Sequence, residues 1–157
     1  MKENGLTLYN ILRWLELPID ENDDTKFITD EEITNLQESL LHMLFTFRHR
    51  GAIEKAAEIF SLLSNKLLCS NQVKYQKIPQ DMLNKALERI TQENHSTILR
   101  RSAGIPPTII AILRAEPLSA QPILLNQTLE FLINLAKSSS DTNDSKIHAL
   151  NIMRFIF

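Results

Sequence analysis

Apolar residues recur every three or four positions along most of this chain, and that spacing predicts helices throughout. Leu8, Ile11, Leu12 and Leu15 share one face of an amphipathic helix over residues 5–17, which Pro18 ends. Ile33, Leu36, Leu40, Leu44 and Phe47 form the next stripe, widened by Leu41 and Phe45. Thr29 precedes it, with Glu32 three places on, the pattern of a capping box. Asp30, Glu31 and Glu32 suit the positive end of that helix's dipole, and Arg48, His49 and Arg50 its negative end. Gly51 then reads as the residue that stops the helix. Ile53, Ala56, Ala57, Phe60, Leu63 and Leu67 line a third helix. Residues 71–78 read as a polar loop, after which Pro79 opens a helix that buries Met82, Leu83, Ala86 and Ile90. A short helix is expected over 96–103. The run "PPTIIAILRAE", residues 106–116, is apolar nearly all round, which marks a central, buried helix. Helices over 122–137 and 145–157 follow, joined by the turn-forming "SSSDTNDS" of residues 138–145.

Seven or eight helices with short joins and no strand define an all-α fold. Consecutive helix pairs predict an α-solenoid of armadillo or HEAT type, with a compact bundle as the competing architecture, because no strict sequence period is present. Residues 1–28 form an N-terminal helix and acidic connector, and 29–157 a helical-repeat domain. Ile147, Leu150, Met153 and Phe157 lie on one side of the last helix, and Ile152, Phe155 and Ile156 on another. The end helix of a solenoid needs a polar outer face. The expectation is therefore that the chain is a fragment, its repeats continuing past residue 157.

Composition narrows the class without naming a chemistry. The 157 residues are 43% hydrophobic and 23% charged, as in a soluble globular domain, with glycine only at Gly5, Gly51 and Gly104. The formal net charge of -2 gives no global field for nucleic acid or membrane, although residues 1–32 hold nine acids against three bases. Cys69 is the single cysteine, so no intrachain disulfide forms and a reducing compartment, the cytoplasm, is expected. No signal peptide is apparent, and no apolar run approaches the roughly 20 residues that span a bilayer.

Motifs for catalysis do not appear. The chain has no Gly-rich phosphate loop, methyl-donor site or nucleophile elbow, and no cofactor is predicted. His42, His49, His95 and His148 lack metal-ligand spacing. Cys69 reads as a semi-buried helical cysteine, and the His148–Asn151 pair as a partner for loop carbonyls. Two basic clusters remain: "RHRG", Arg48, His49, Arg50 and Gly51, and "RRSAG", Arg100, Arg101, Ser102, Ala103 and Gly104. One arginine at a helix end is explained by the dipole alone. Two at each end can build a patch for phosphates or a carboxylate. In "RRSAGIPP" Gly104 is expected to take a positive φ and stop a helix, with Ile105 held extended ahead of Pro106. Pro106 and Pro107 then fall in the first turn of the next helix. The stretch reads as a rigid interhelical corner that carries two arginines.

The blocks "FRHRGAIE", "RRSAGIPPTIIAILRAEP" and "HALNIMRFIF", in this order over residues 45–157, resemble the thyroid adenoma-associated protein family. Residues 1–44 carry no recognised motif of it, and Pro107 stands where that family usually has an aromatic or aliphatic residue. The resemblance implies a long armadillo-like repeat protein without catalysis of its own. In the fungal branch it implies an accessory subunit that pairs with a separate tRNA 2′-O-methyltransferase to methylate the ribose at anticodon-loop position 32. In the animal branch it implies a link to a membrane calcium pump. Carried onto this sequence, the tRNA- or partner-binding residues are Arg48, His49, Arg50, Arg100, Arg101, Ser102, Gly104, Ile105 and Pro106.

Overall fold

The computed structural model describes residues 29–92, 104–118, 121–138 and 143–157. All regular structure among them is helical: α1 (Asp30–Thr46), α2 (Arg50–Leu68), α3 (Val73–Gln92), α4 (Ile105–Ala115), α5 (Ile123–Lys137) and α6 (Asn143–Ile156). The helices expected over 5–17 and 96–103 and the acidic connector lie outside the described residues. None of the six helices is long and apolar enough to cross a membrane.

α1 begins as its sequence requires. The Glu32 N–H donates to Thr29 Oγ1 at 3.2 Å, and the Thr29 N–H donates back to Glu32 Oε2 at 2.8 Å. The Thr29 hydroxyl also donates to Glu32 Oε2, at 2.9 Å, and the two bonds to the carboxylate favour its ionised form and hold the Glu32 pKa below its ordinary value, the backbone bond acting most strongly. Ile33, Leu40, Leu41 and Leu44 are buried, and Leu36, Phe45 and Phe47 pack against the same core.

The end of α1 differs from the expectation. The helix stops at Thr46, and Phe47 turns extended at φ -66° and ψ 140°, which brings its ring onto the core. Gly51 does not end α1: it lies in the first turn of α2, with His49 as N-cap, and its φ is not positive. Arg48 and His49 therefore occupy the link, and Arg50 opens α2 at the positive end of a dipole.

α3 also begins earlier than expected. The segment 73–78 is helical, and Pro79 sits inside the helix rather than at its start. Pro79 has no N–H to give the Tyr75 carbonyl, so the turn before it loses a bond. Tertiary contacts hold that turn instead. The Tyr75 ring is buried and its hydroxyl donates to Asp30 Oδ1, while Lys74 Nζ lies 2.6 Å from Asp30 Oδ2.

α4 is the centre of the fold. It packs most extensively on α2 and also meets α1, α3 and α6. Ile105, Thr108, Ile109, Ala111, Ile112 and Ala115 are buried. The α4 end is satisfied from outside: Asn65 Nδ2 donates to the Ala115 carbonyl at 2.8 Å. Glu116 accepts from the Leu124 N–H at 2.8 Å and the Leu125 N–H at 3.3 Å, capping α5 across a turn. The loop expected over 138–145 is shorter than predicted, because α6 starts at Asn143; the buried Ser145 hydroxyl donates to the Ile90 carbonyl at 3.3 Å.

Cross-helix pairs give directions. Asp30 meets Lys74 and Tyr75, Glu38 meets Lys85, and Phe45 meets Arg89, so α1 and α3 run parallel. Likewise α2 and α4 both begin near the end of α1, and Asn65 near the end of α2 reaches Ala115 at the end of α4. Among the described helices, α1 is thus parallel to α3 and α2 to α4, and α2 returns between α1 and α3.

Candidate functional site

The second sequence cluster, through Gly104, makes a backbone contact with the last turn of α1, just ahead of the first cluster. Gly104 is buried at the N-cap of α4, with φ -86° and ψ -18°. A Cβ there would lie 1.7 Å from the Leu44 carbonyl oxygen, 2.6 Å from its carbon and 3.4 Å from the Phe45 nitrogen. Real Cβ atoms do not approach so closely, so the position admits only glycine without movement of one helix. The expectation of a positive φ is therefore replaced by a different reason for glycine: close approach of α4 to the last turn of α1. Thr108 Oγ1 donates to the Gly104 carbonyl at 2.7 Å and braces the turn from inside.

Ile105, expected extended, is the first residue of α4, because burial of its side chain to 1% exposure outweighs the bias that Pro106 imposes. Pro106 and Pro107 fall in the first turn as predicted. They remove two of the N–H groups that a helix start would offer an anion. The start of α4 is thus a poor phosphate cradle.

The cationic side chains near this corner are on and beside the α1–α2 link. Arg48 and His49 are exposed, and neither side chain is hydrogen-bonded or ion-paired among the described residues. Arg50 Nε lies 2.7 Å from Glu54 Oε1 with both groups well exposed, and that hydrogen bond, then the charge of Glu54, raises the Arg50 pKa. Glu54 also offsets the repulsion between Arg50 and the start of α2. Arg100, Arg101 and Ser102 lie outside the described residues.

One residue of this corner escaped the sequence reading. The Arg89 guanidinium, near the end of α3, stands 4.7 Å from the centroid of the Phe45 ring. Phe45 follows the residue that Gly104 touches, so the ends of α1 and α3 and the start of α4 converge. Nothing in the spacing of Arg89 marks it, since the pairing spans 44 positions. Elsewhere, no group of three or more His, Cys, Asp or Glu side chains among the described residues is arranged to hold a metal. Cys69 is exposed and His148 half-buried.

Such an assembly offers a braced helical corner with exposed cationic side chains beside it in an all-helical protein. A family model described as THADA/TRM732, DUF2428 matches residues 1–157, and the chain belongs to that family. The match includes residues 1–44, where the sequence showed no motif. The chain is 36% identical over 162 residues to the tRNA (32-2'-O)-methyltransferase regulator THADA of Gallus gallus, a match covering 100% of this chain and 8% of that protein. The human protein of the same description is 36% identical over 163 residues, again 100% of this chain and 8% of the relative. The tRNA (32-2'-O)-methyltransferase regulator trm732 of Schizosaccharomyces pombe is 32% identical over 140 residues, 82% of this chain and 9% of the relative. The chain thus spans less than a tenth of the length of these curated relatives. No solved structure matches it.

Proposed function

We propose that this chain is a segment of a non-catalytic accessory subunit that supports 2′-O-methylation of the tRNA ribose at position 32. A partner methyltransferase supplies the methyl donor and the chemistry. The chain supplies part of an armadillo- or HEAT-like α-solenoid in the cytoplasm, on which Arg48, Arg50, Arg100 and Arg101 contact tRNA or anchor the partner.

The observation that carries this reading is the glycine-only contact of Gly104 on Leu44. It lies inside "RRSAGIPP", in a chain matched along its whole length by the family of these regulators. A close contact of this kind fixes where the following helix starts. The parallel run of α1 and α3, with α2 returning between them, supports the solenoid, because stacked helix pairs repeat direction every second helix.

The test is reconstitution of the complete protein with its methyltransferase and tRNA. Substituting Arg48 together with Arg100 and Arg101 by alanine is expected to reduce ribose methylation at position 32. tRNA retention by the wild-type complex should fall steeply as salt rises, with a slope that the triple substitution makes shallower. Full methylation by the triple variant would exclude the corner from function.

A further inference from the structure

Between the parallel helices α1 and α3 lies an open groove of about 430 Å³, within the size range of ligand clefts. Ile78 and the buried Met82 form its apolar floor, and Glu38, Asp81, Lys85 and Glu88 stand around it. Lys85 Nζ is 3.2 Å from Glu38 Oε1, an ion pair in which both side chains are half-exposed. Asp81 and Glu88 form no ion pair among the described residues, so the rim keeps two uncompensated carboxylates.

We propose that this groove docks a basic segment of the protein partner, one in which Lys or Arg flanks an apolar residue. The inference rests on the accessory role proposed above and assigns the surface of that role that faces protein. Three features of the groove favour this occupant. First, the apolar floor takes an apolar anchor, and the free carboxylates take the flanking cations. The exposed Lys85–Glu38 pair is weakly held and opens readily to a competing cation. Second, the same carboxylates repel phosphates, so RNA is disfavoured at this face. Third, the groove is held open. Asp30 with Lys74 and Tyr75 ties the helices at one end, and Phe45 with Arg89 ties them at the other. A cleft pinned at both ends loses little freedom when it is filled.

The experiment uses the complete protein and its purified methyltransferase. Asp81→Lys with Glu88→Lys is expected to weaken methyltransferase binding about tenfold or more, because rim charge governs association. Binding of tRNA alone should stay unchanged or strengthen. If the double reversal disturbs folding, Asp81→Asn with Glu88→Gln is read instead and should give a smaller loss of the same sign. A photo-crosslinking residue at the exposed Thr34 should attach to a Lys- or Arg-bearing peptide of the methyltransferase. Crosslinking to tRNA, or unchanged methyltransferase binding by both double variants, overturns the groove assignment and leaves the accessory role standing. A wild-type protein that binds no methyltransferase at all overturns both.

Discussion

Gly104 presses its Cα against the Leu44 carbonyl so closely that even a methyl group would lie 1.7 Å from the oxygen. The contact joins residues 60 positions apart and sets the start of the central helix against the last turn of α1. Gly104→Ala must push α4 or the α1 end aside. A loss of about 1–3 kcal/mol is expected, the size of other overpacked substitutions. Chemical denaturation checks it, and a variant as stable as wild type refutes the contact.

Gly51 is the matched control. A Cβ at Gly51 meets nothing within 4 Å, and its φ is not positive. Alanine in a helix loses less backbone freedom than glycine, so Gly51→Ala should be neutral or stabilising by up to about 1 kcal/mol. The same denaturation series separates the two glycines, which the sequence alone reads as equivalent helix stops.

Helix existence was legible in the sequence because it depends on spacing. The stripe from Ile33 to Leu44 and the all-apolar run from Ile109 to Leu113 are local patterns, and both formed as expected. Boundaries were less legible because distant residues decide them. Val73–Ile78 is helical through the contacts of Tyr75 and Lys74 with Asp30, which outweigh the helix-breaking tendency of Pro79. The corner shows the same division. "RRSAGIPP" announced a constrained turn, but the reason for its glycine is the carbonyl of Leu44, and the Arg89–Phe45 stack has no signature in either segment. The Pro106–Pro107 pair was legible down to its helix position, since proline's preference for the first turn is intrinsic.

Gln37 offers a stability test. It lies on the buried stripe of α1 with 0% exposure, and neither amide atom has a hydrogen-bond partner. A buried polar group without partners costs about 1–3 kcal/mol. Gln37→Leu keeps the approximate volume and removes that cost, so the midpoint of thermal unfolding should rise. A fall would mean that the amide is satisfied in solution.

Acid should act through Glu32. Its folded pKa is depressed by Thr29, so the linked stability is present above the unfolded pKa and is lost as pH falls through the folded one. Thr29→Ala removes the hydroxyl that donates to the carboxylate and accepts from the Glu32 N–H, and leaves the Thr29 N–H bond to the carboxylate. The stability gap between wild type and Thr29→Ala is therefore widest near neutral pH and should narrow on acidification below about pH 4. Melts across that range decide it; a gap that widens in acid has the wrong sign.

α6 carries an uncovered apolar face. Ile147 and Leu150, one turn apart, are 54% and 56% exposed, and Phe155 and Phe157 more so. Such a patch seeks cover. The 157-residue chain is expected to self-associate as concentration rises, and Ile147→Glu with Leu150→Glu to return it to monomer. Sedimentation equilibrium reads this directly, and a wild-type chain that stays monomeric at high concentration rejects it.

The cations of the corner separate by their partners. Arg48 is exposed and unpaired among the described residues, whereas Arg50 is engaged by Glu54 at 2.7 Å and opposes the dipole at the start of α2. Arg48→Ala removes no contact from the fold, so its melting temperature should match wild type. If Arg48 meets an anionic partner, methylation at position 32 in the complete protein falls and the salt slope of tRNA binding drops by about one. Arg50→Ala removes a charge that the helix start disfavours but also releases Glu54, which adds a free carboxylate one turn into α2. That variant should therefore weaken tRNA binding at least as much as Arg48→Ala. The double substitution Arg50→Ala with Glu54→Ala then discriminates between mechanisms. If the freed Glu54 carboxylate causes part of the loss by repelling tRNA, the double variant binds better than Arg50→Ala alone. If Arg50 is the contact itself, removing Glu54 restores little. Binding titrations at several salt concentrations measure all three, and three unchanged slopes would show that the link carries its arginines without using them.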